Sequence, residues 1–166
     1  MSTRILNLDQ LEFSRELKHG ESFEARLAPI APRVGAKKLG YNVTAIPAGK
    51  RAFPFHNHHA NEEMFFVLSG TGTLRYGAEE HPVRAGDVIC CPPGGKDTAH
   101  QIINTGSEEM RYLAVSTMID TDVFQYPDSG KFGAVGGREP GAWPPVASFA
   151  AQFHDEAAAV DYWKGE

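Results

Sequence analysis

From Lys38 to Thr117 the chain breaks at glycine or proline every eight to twelve residues, and short runs of β-branched, aromatic and aliphatic residues fill the intervals. This rhythm predicts strands over 39–46, 64–68, 71–76, 80–84, 88–91, 99–104 and 111–117. The stops are Pro47-Ala48-Gly49, Ser69-Gly70, Gly77, Ala85-Gly86-Asp87, Pro92-Pro93-Gly94-Gly95 and Thr105-Gly106-Ser107. With no helical pattern between them, short strands at this spacing specify an antiparallel sandwich or barrel.

Side chains on a strand alternate between its two faces. If Glu63 points into the barrel, Phe65 and Val67 do too, while Met64, Phe66 and Leu68 point out. Both faces are then apolar. The outer one needs a cover from the N-terminal arm, the tail or a second subunit.

The flanks are less regular. Residues 1–37 read as an N-terminal arm packing on the barrel, with a short strand over 23–27 and extended or turning chain at Pro29 and Pro32. Residues 38–119 form the barrel, and residues 120–166 a C-terminal extension. In the extension, 126–131 is a turn-rich loop and 133–145 is too rich in glycine and proline for a regular element. Residues 147–163 are alanine-rich, with Phe149, Phe153, Val160 and Trp163 near helical spacing, which predicts a short helix. The extension would cap the barrel or seal a dimer.

A chain of 166 residues is long enough to bury one core. Its formal charge of −5 argues against nucleic acid as a partner, since phosphates call for a basic face. No long apolar run marks a signal peptide or a membrane helix. Cys90 and Cys91 are neighbours whose side chains diverge on a strand, so they read as free thiols and small core residues. Together these features predict a cytoplasmic protein with no membrane association.

Chemistry concentrates in two stretches. His56 and His58, two apart on extended chain, project to one face. The break at 59–62 lets the chain bend and present Glu63, and His100 lies on a later strand with Ile102 and Asn104 on its face. Three imidazoles and a carboxylate form a nitrogen and oxygen donor set for iron, manganese, nickel, copper, cobalt or zinc, with positions left for water or substrate. Glu62 is the competing carboxylate, and the spacing to Gly70 favours Glu63. His59 reads as an exposed loop residue, and His19, His81 and His154 as surface or core histidines. Asn104 reads as a turn former. Tyr41, Phe65 and Ile102 are core residues that could also line a pocket.

These two stretches resemble the paired motifs of the cupin superfamily. Gly49, His56, His58, Glu63 and Gly70 match the first, with one extra residue before His56. Gly86, Pro92, Gly94, His100 and Asn104 match the second, with three extra residues ahead of His100. The resemblance implies an all-β double-stranded β-helix (jelly-roll) barrel, a metal near one mouth and a homodimer. The ligands would be His56, His58, Glu63 and His100, holding one divalent ion of zinc, iron, manganese or nickel. The fold does not choose the reaction. One reading is an isomerase-like or oxygenase-like metalloenzyme acting on an oxygen-rich small molecule such as a sugar phosphate. The other is a non-catalytic module that binds or senses a small ligand. For a phosphorylated substrate, Arg51, Arg75, Arg84 and Lys96 are candidate anion contacts. No separate general base stands out.

Overall fold

The computed structural model describes residues 4–138, 147–159 and 163–164. In chain order the first strands are β1 (Arg15–His19), β2 (Phe23–Pro29), β3 (Leu39–Ile46), β4 (Asn57–His58), β5 (Glu63–Ser69) and β6 (Thr71–Tyr76). They are followed by β7 (Glu79–Arg84), β8 (Val88–Cys91), β9 (His100–Ile103), β10 (Met110–Thr117), β11 (Asp122–Tyr126), β12 (Lys131–Arg138) and β13 (Ala147–Asp155). They form a six-stranded sheet β1-β2-β3-β10-β5-β8, a three-stranded sheet β7-β6-β9 and a four-stranded sheet β13-β12-β11-β4. Every ladder in these sheets is antiparallel.

The first two sheets enclose the core. Phe65 and Val67 from β5, Ile89 and Cys91 from β8 and Tyr112 from β10 pack against Leu74, Val83 and Ile102 from the smaller sheet. Each large apolar side chain contributes roughly 1.5–3 kcal/mol on leaving water. This is the jelly-roll barrel that the strand rhythm and the motif resemblance anticipate. At the β5–β6 turn Gly70 has φ +83°, and a Cβ there would lie 2.8 Å from the Met110 Cα, so no other residue fits without displacing backbone.

The outer face of the large sheet carries a second cluster. Ala28, Ile30 and Val43 are buried there, and Leu11, Phe13, Tyr41, Leu68 and Leu113 pack against them. The arm therefore does more than rest on the barrel. It adds β1 and β2 to the sheet edge and lays Leu11 and Phe13 over the outward side chains.

Three expectations are corrected. The region 147–163 is not helical where described: Ala147–Asp155 is a strand, followed by a single 3-10 turn at Glu156–Ala158. Alanine favours helix, but pairing with β12 supplies a sheet ladder that overrides that preference. Lys131–Arg138 is likewise a strand despite its glycines, because β11 and β13 flank it on both sides. The remainder of 133–145, from 139 on, and Val160 lie outside the described residues. Cys90 is exposed and only Cys91 is buried, because adjacent strand positions face opposite ways.

Candidate metal centre

The chain brings the site together at one mouth of the barrel. Glu63 opens β5 and His100 opens β9. His56 lies just before β4 and forms an antiparallel bridge with His100, each backbone N–H donating to the other's carbonyl at 3.2 and 2.8 Å. The three residues that lengthen the second motif are absorbed by a 3-10 turn at Lys96–Thr98, after which the chain re-enters the sheet at His100.

One donor atom from each of His56, His58 and Glu63 lies within 4.8 Å of the others, a group able to hold a metal ion. The Glu63 Oε2 atom is the focus. His100 Nε2 lies 3.0 Å from it, His58 Nε2 3.7 Å and His56 Nε2 3.9 Å. The opposite ring nitrogens all face oxygen: His56 Nδ1 is 2.8 Å from the Pro54 carbonyl, His58 Nδ1 2.6 Å from Asp122 Oδ2, and His100 Nδ1 3.3 Å from the Thr98 carbonyl. An oxygen acceptor facing Nδ1 is the arrangement of metal-ligating histidines, in which Nε2 is the atom left for the ion. The donor set therefore fits a transition-metal ion.

Electrostatics agree. Burial, reinforced by the neighbouring His100 charge, lowers the His56 pKa to about 4 and keeps its ring neutral at physiological pH. Burial alone would raise the Glu63 carboxyl. The hydrogen bond from His100 and the charges of His58 and His56 outweigh it and bring the value down to about 2. A neutral His56 ring and an ionised Glu63 are the protonation states that those two groups need to bind a metal.

Sequence reasoning missed Asp122, which lies in the C-terminal extension, 59 positions after Glu63. It is 1% exposed. Besides His58, it accepts from the Ala60 N–H at 3.0 Å and the Asn61 amide at 2.8 Å. Asn61 in turn accepts from the Thr117 hydroxyl and the Ile119 N–H. The short ligand strand β4 pairs with β11, Phe124 lying opposite His58. Tyr126 stacks on His56 at 5.9 Å and Phe124 lies 6.2 Å from the His58 ring. Phe153, at φ +58°, sits in a β13 bulge that aims its ring at Tyr126. No motif spacing signals this, because the contacts of Asp122, Phe124 and Tyr126 with residues 56–61 span more than 60 residues.

The other candidates fall elsewhere. Glu62 is exposed, and the thiol of Cys90 reaches its carboxylate at 3.7 Å. His59 is exposed and bonds Gln125. Asn104 is fully buried and donates to the Ile46 and Glu108 carbonyls, tying two turns together. A cavity of 260 Å³ opens beside His56 and Glu63, between the inner face of β1, β2, β3, β5 and β10 and the loop at Phe53. Phe65 lines it, Tyr41 borders it while packing on the outer cluster, and Ile102 does not reach it. Arg51, Arg75, Arg84 and Lys96 are not among its lining residues, whereas Arg15 is. Arg75 instead forks onto Asp128 at 2.7 and 2.9 Å, and Lys96 pairs with Glu156.

Residues 42–116 match the family model Cupin_2, the cupin domain. A candidate sugar phosphate isomerase from Acidithiobacillus ferrooxidans superposes with a TM-score of 0.73 at 27% identity, over 87% of this chain and 92% of that one. A sugar phosphate isomerase from a cupin superfamily, from Silicibacter pomeroyi, superposes at 0.76 and 21% identity over 96% and 98%, so the likeness in fold extends to the arm and the C-terminal sheet. The oxalate-binding protein of Thermotoga maritima is 33% identical over 64 residues, 39% of this chain and 50% of that protein. The chain spans about half the length of the curated relatives it matches. With the barrel, the two histidine-bearing segments and the match over 42–116 in agreement, residues 42–116 form a cupin domain.

Proposed function

We propose that this chain is a metal-dependent protein acting on a small oxygen-rich molecule, with His56, His58, Glu63 and His100 holding one divalent ion of zinc, iron, manganese or nickel. The observation that carries the reading is the convergence of three Nε2 atoms on one carboxylate oxygen while every Nδ1 faces an oxygen acceptor. A bound ion would supply Lewis acidity, for isomerase-like chemistry, or redox chemistry if it were iron or manganese. The chain's own residues do the rest. Asp122 keeps the His58 proton on Nδ1. Phe53, Phe65 and Met118 keep the cavity wall apolar, and Asn42 and Ser116 offer hydrogen bonds to a ligand. The likeness to sugar phosphate isomerase structures supports an enzymatic reading. The free thiols support a reducing compartment such as the cytoplasm, and the edge strand β8, with Val88 67% exposed, supports a homodimer.

The test is elemental analysis of untagged protein after remetallation, beside His58→Ala. One ion per chain is expected in the wild type and a loss of more than about 100-fold in affinity in the variant, beyond what outer contacts contribute. A wild type without stoichiometric metal, or a variant that binds as well, would sink the reading.

A second reading, a non-catalytic binding module, is favoured by the cavity itself: beyond the proposed ligands, its described lining holds no carboxylate or histidine to serve as a general base. Turnover across sugars, keto acids and catechols separates the two. Ligand-induced thermal shifts without turnover select the binding module.

A further inference from the structure

Two rows of residues run across β3, β10 and β5 along one wall of the cavity beside the ligands. Gly40, Ser116 and Glu63 pair in the first row, and Asn42, Ala114 and Phe65 in the second. Gly40, Ser116 and Ala114 are small, and their size leaves the room that the cavity occupies. Asn42, half-buried, faces inward by strand alternation. Its neighbours Tyr41 and Val43 pack on the outer cluster, whereas Thr44, on its own face, lies opposite the core residues Leu27 and Tyr112. The Thr44 hydroxyl donates to Asn42 Oδ1 at 2.8 Å. Thr44 is not part of the cavity lining, so this bond turns the amide oxygen away from the cavity and leaves the Nδ2 group for it. Among the described residues nothing accepts from that Nδ2 group.

We propose that Asn42 is a specificity-determining residue of this cavity. Its amide donates to a neutral oxygen, a hydroxyl or a carbonyl, of a small ligand whose other oxygens sit on the metal. The inference rests on the metal-centred reading above. The charged groups of the lining are committed elsewhere: His56 and Glu63 belong to the proposed donor set, and Arg15 is exposed and already engaged within the chain. Ser116 donates to the Thr117 carbonyl at 3.0 Å, so its hydroxyl has only lone pairs to offer. Among the described inward-facing lining residues, Asn42 is therefore the uncommitted donor, set among the apolar side chains of Leu17, Phe53, Phe65 and Met118. It lies two strand spacings from Phe65, roughly 10 Å, and one row from Glu63. The volume of 260 Å³ lies just below the range of about 300–1,000 Å³ for drug-sized ligands, which points to a compact molecule that reaches from the ion to the amide. A site with an oriented donor rejects an analogue that lacks the matching oxygen, because the donor is then left unpaired.

The experiment is calorimetric binding to metal-loaded protein with two pairs of probes, each differing in one distal hydroxyl. The first is D-galactose against D-fucose, its 6-deoxy form; the second is 4-hydroxy-2-oxobutanoate against 2-oxobutanoate. In at least one pair the wild type binds the hydroxylated member about fivefold or more tightly, the worth of one neutral hydrogen bond. Asn42→Leu, close in size but without the donor, brings that pair to within about twofold by weakening the hydroxylated member alone, while metal content and melting temperature hold. Asn42→Ala, which cannot overfill the site, gives the same result. Absence of any preference in the loaded wild type overturns the inference, as does a preference that survives both substitutions. Equal weakening of both members of a pair also overturns it, because that marks a change of cavity shape rather than a lost donor. A wild type that takes up no metal is a separate result, and it fails the metal reading.

Discussion

The barrel strands within 42–116 and the strands β11, β12 and β13 both contribute to the surroundings of the proposed ligands, and they announce themselves differently. In the barrel, strand ends, turns and ligands follow from local spacing. In the C-terminal sheet, almost nothing local marks the strands: β12 carries Gly133, Gly136 and Gly137, and β13 is rich in alanine. Yet β11 pairs with β4, contacts His58 through Asp122 and sets aromatic rings against His56 and His58. In the proposed site the barrel supplies the donor atoms, and the extension would aim them.

The strongest way to break this division is Asp122→Asn. The amide keeps the shape but removes the charge behind His58 and reassigns the proton at Nδ1. Metal affinity is expected to fall about 10–100-fold, the range for outer partners of ligating histidines. Competition with a chromophoric chelator reads it, and an unchanged affinity would make Asp122 a structural residue only.

Acid sharpens the same contact. Burial alone would raise the Asp122 carboxyl, but the hydrogen bonds from His58 and Asn61 outweigh it and lower its pKa from 3.8 to about 2. A folded-state value below the unfolded one stabilises above the unfolded pKa, and that stability fades as pH falls through the folded pKa. The metal-free wild type should therefore lose about 2 kcal/mol between pH 5 and pH 2 from this group. Asp122→Asn removes that component from the curve. Urea unfolding across this range checks it, and identical slopes for the two proteins would refute it.

The smallest effect is expected at the rim. Arg75→Ala removes the fork onto Asp128 that ties β6 to the β11–β12 turn, but Asp128 is 55% exposed and the guanidinium 31%. Exposed pairs contribute about 0–1 kcal/mol. Thermal melting should shift little, and a drop in metal affinity comparable to Asp122→Asn would show that the rim, not Asp122, aims the ligands.

Legibility followed the range of the interactions. Strands β3, β6 and β8 run over 39–46, 71–76 and 88–91, the spans that the residue pattern predicts. There, turn residues and alternating side chains act within a few positions. The convergence of His56, His58 and Glu63 was readable because they lie within eight positions of one another. The spacing to Gly70 also set Glu62 apart from Glu63, and His59 read as a loop residue, in keeping with the exposure of both. Asp122 was not readable, since an aspartate at a strand start looks like any turn residue until the fold places it behind an imidazole. The chosen basic residues, Arg51, Arg75, Arg84 and Lys96, were credible by charge and wrong by position.

By itself the sequence determined an antiparallel barrel and the residues able to bind a metal, because glycine, proline, strand alternation and donor chemistry act locally. Only the tertiary structure decided that a glycine- and alanine-rich extension forms a sheet, that this sheet takes in β4, and that Asp122 stands behind His58. Those outcomes depend on pairing between segments distant in the chain, where the partner strand rather than the residue's own propensity sets the conformation.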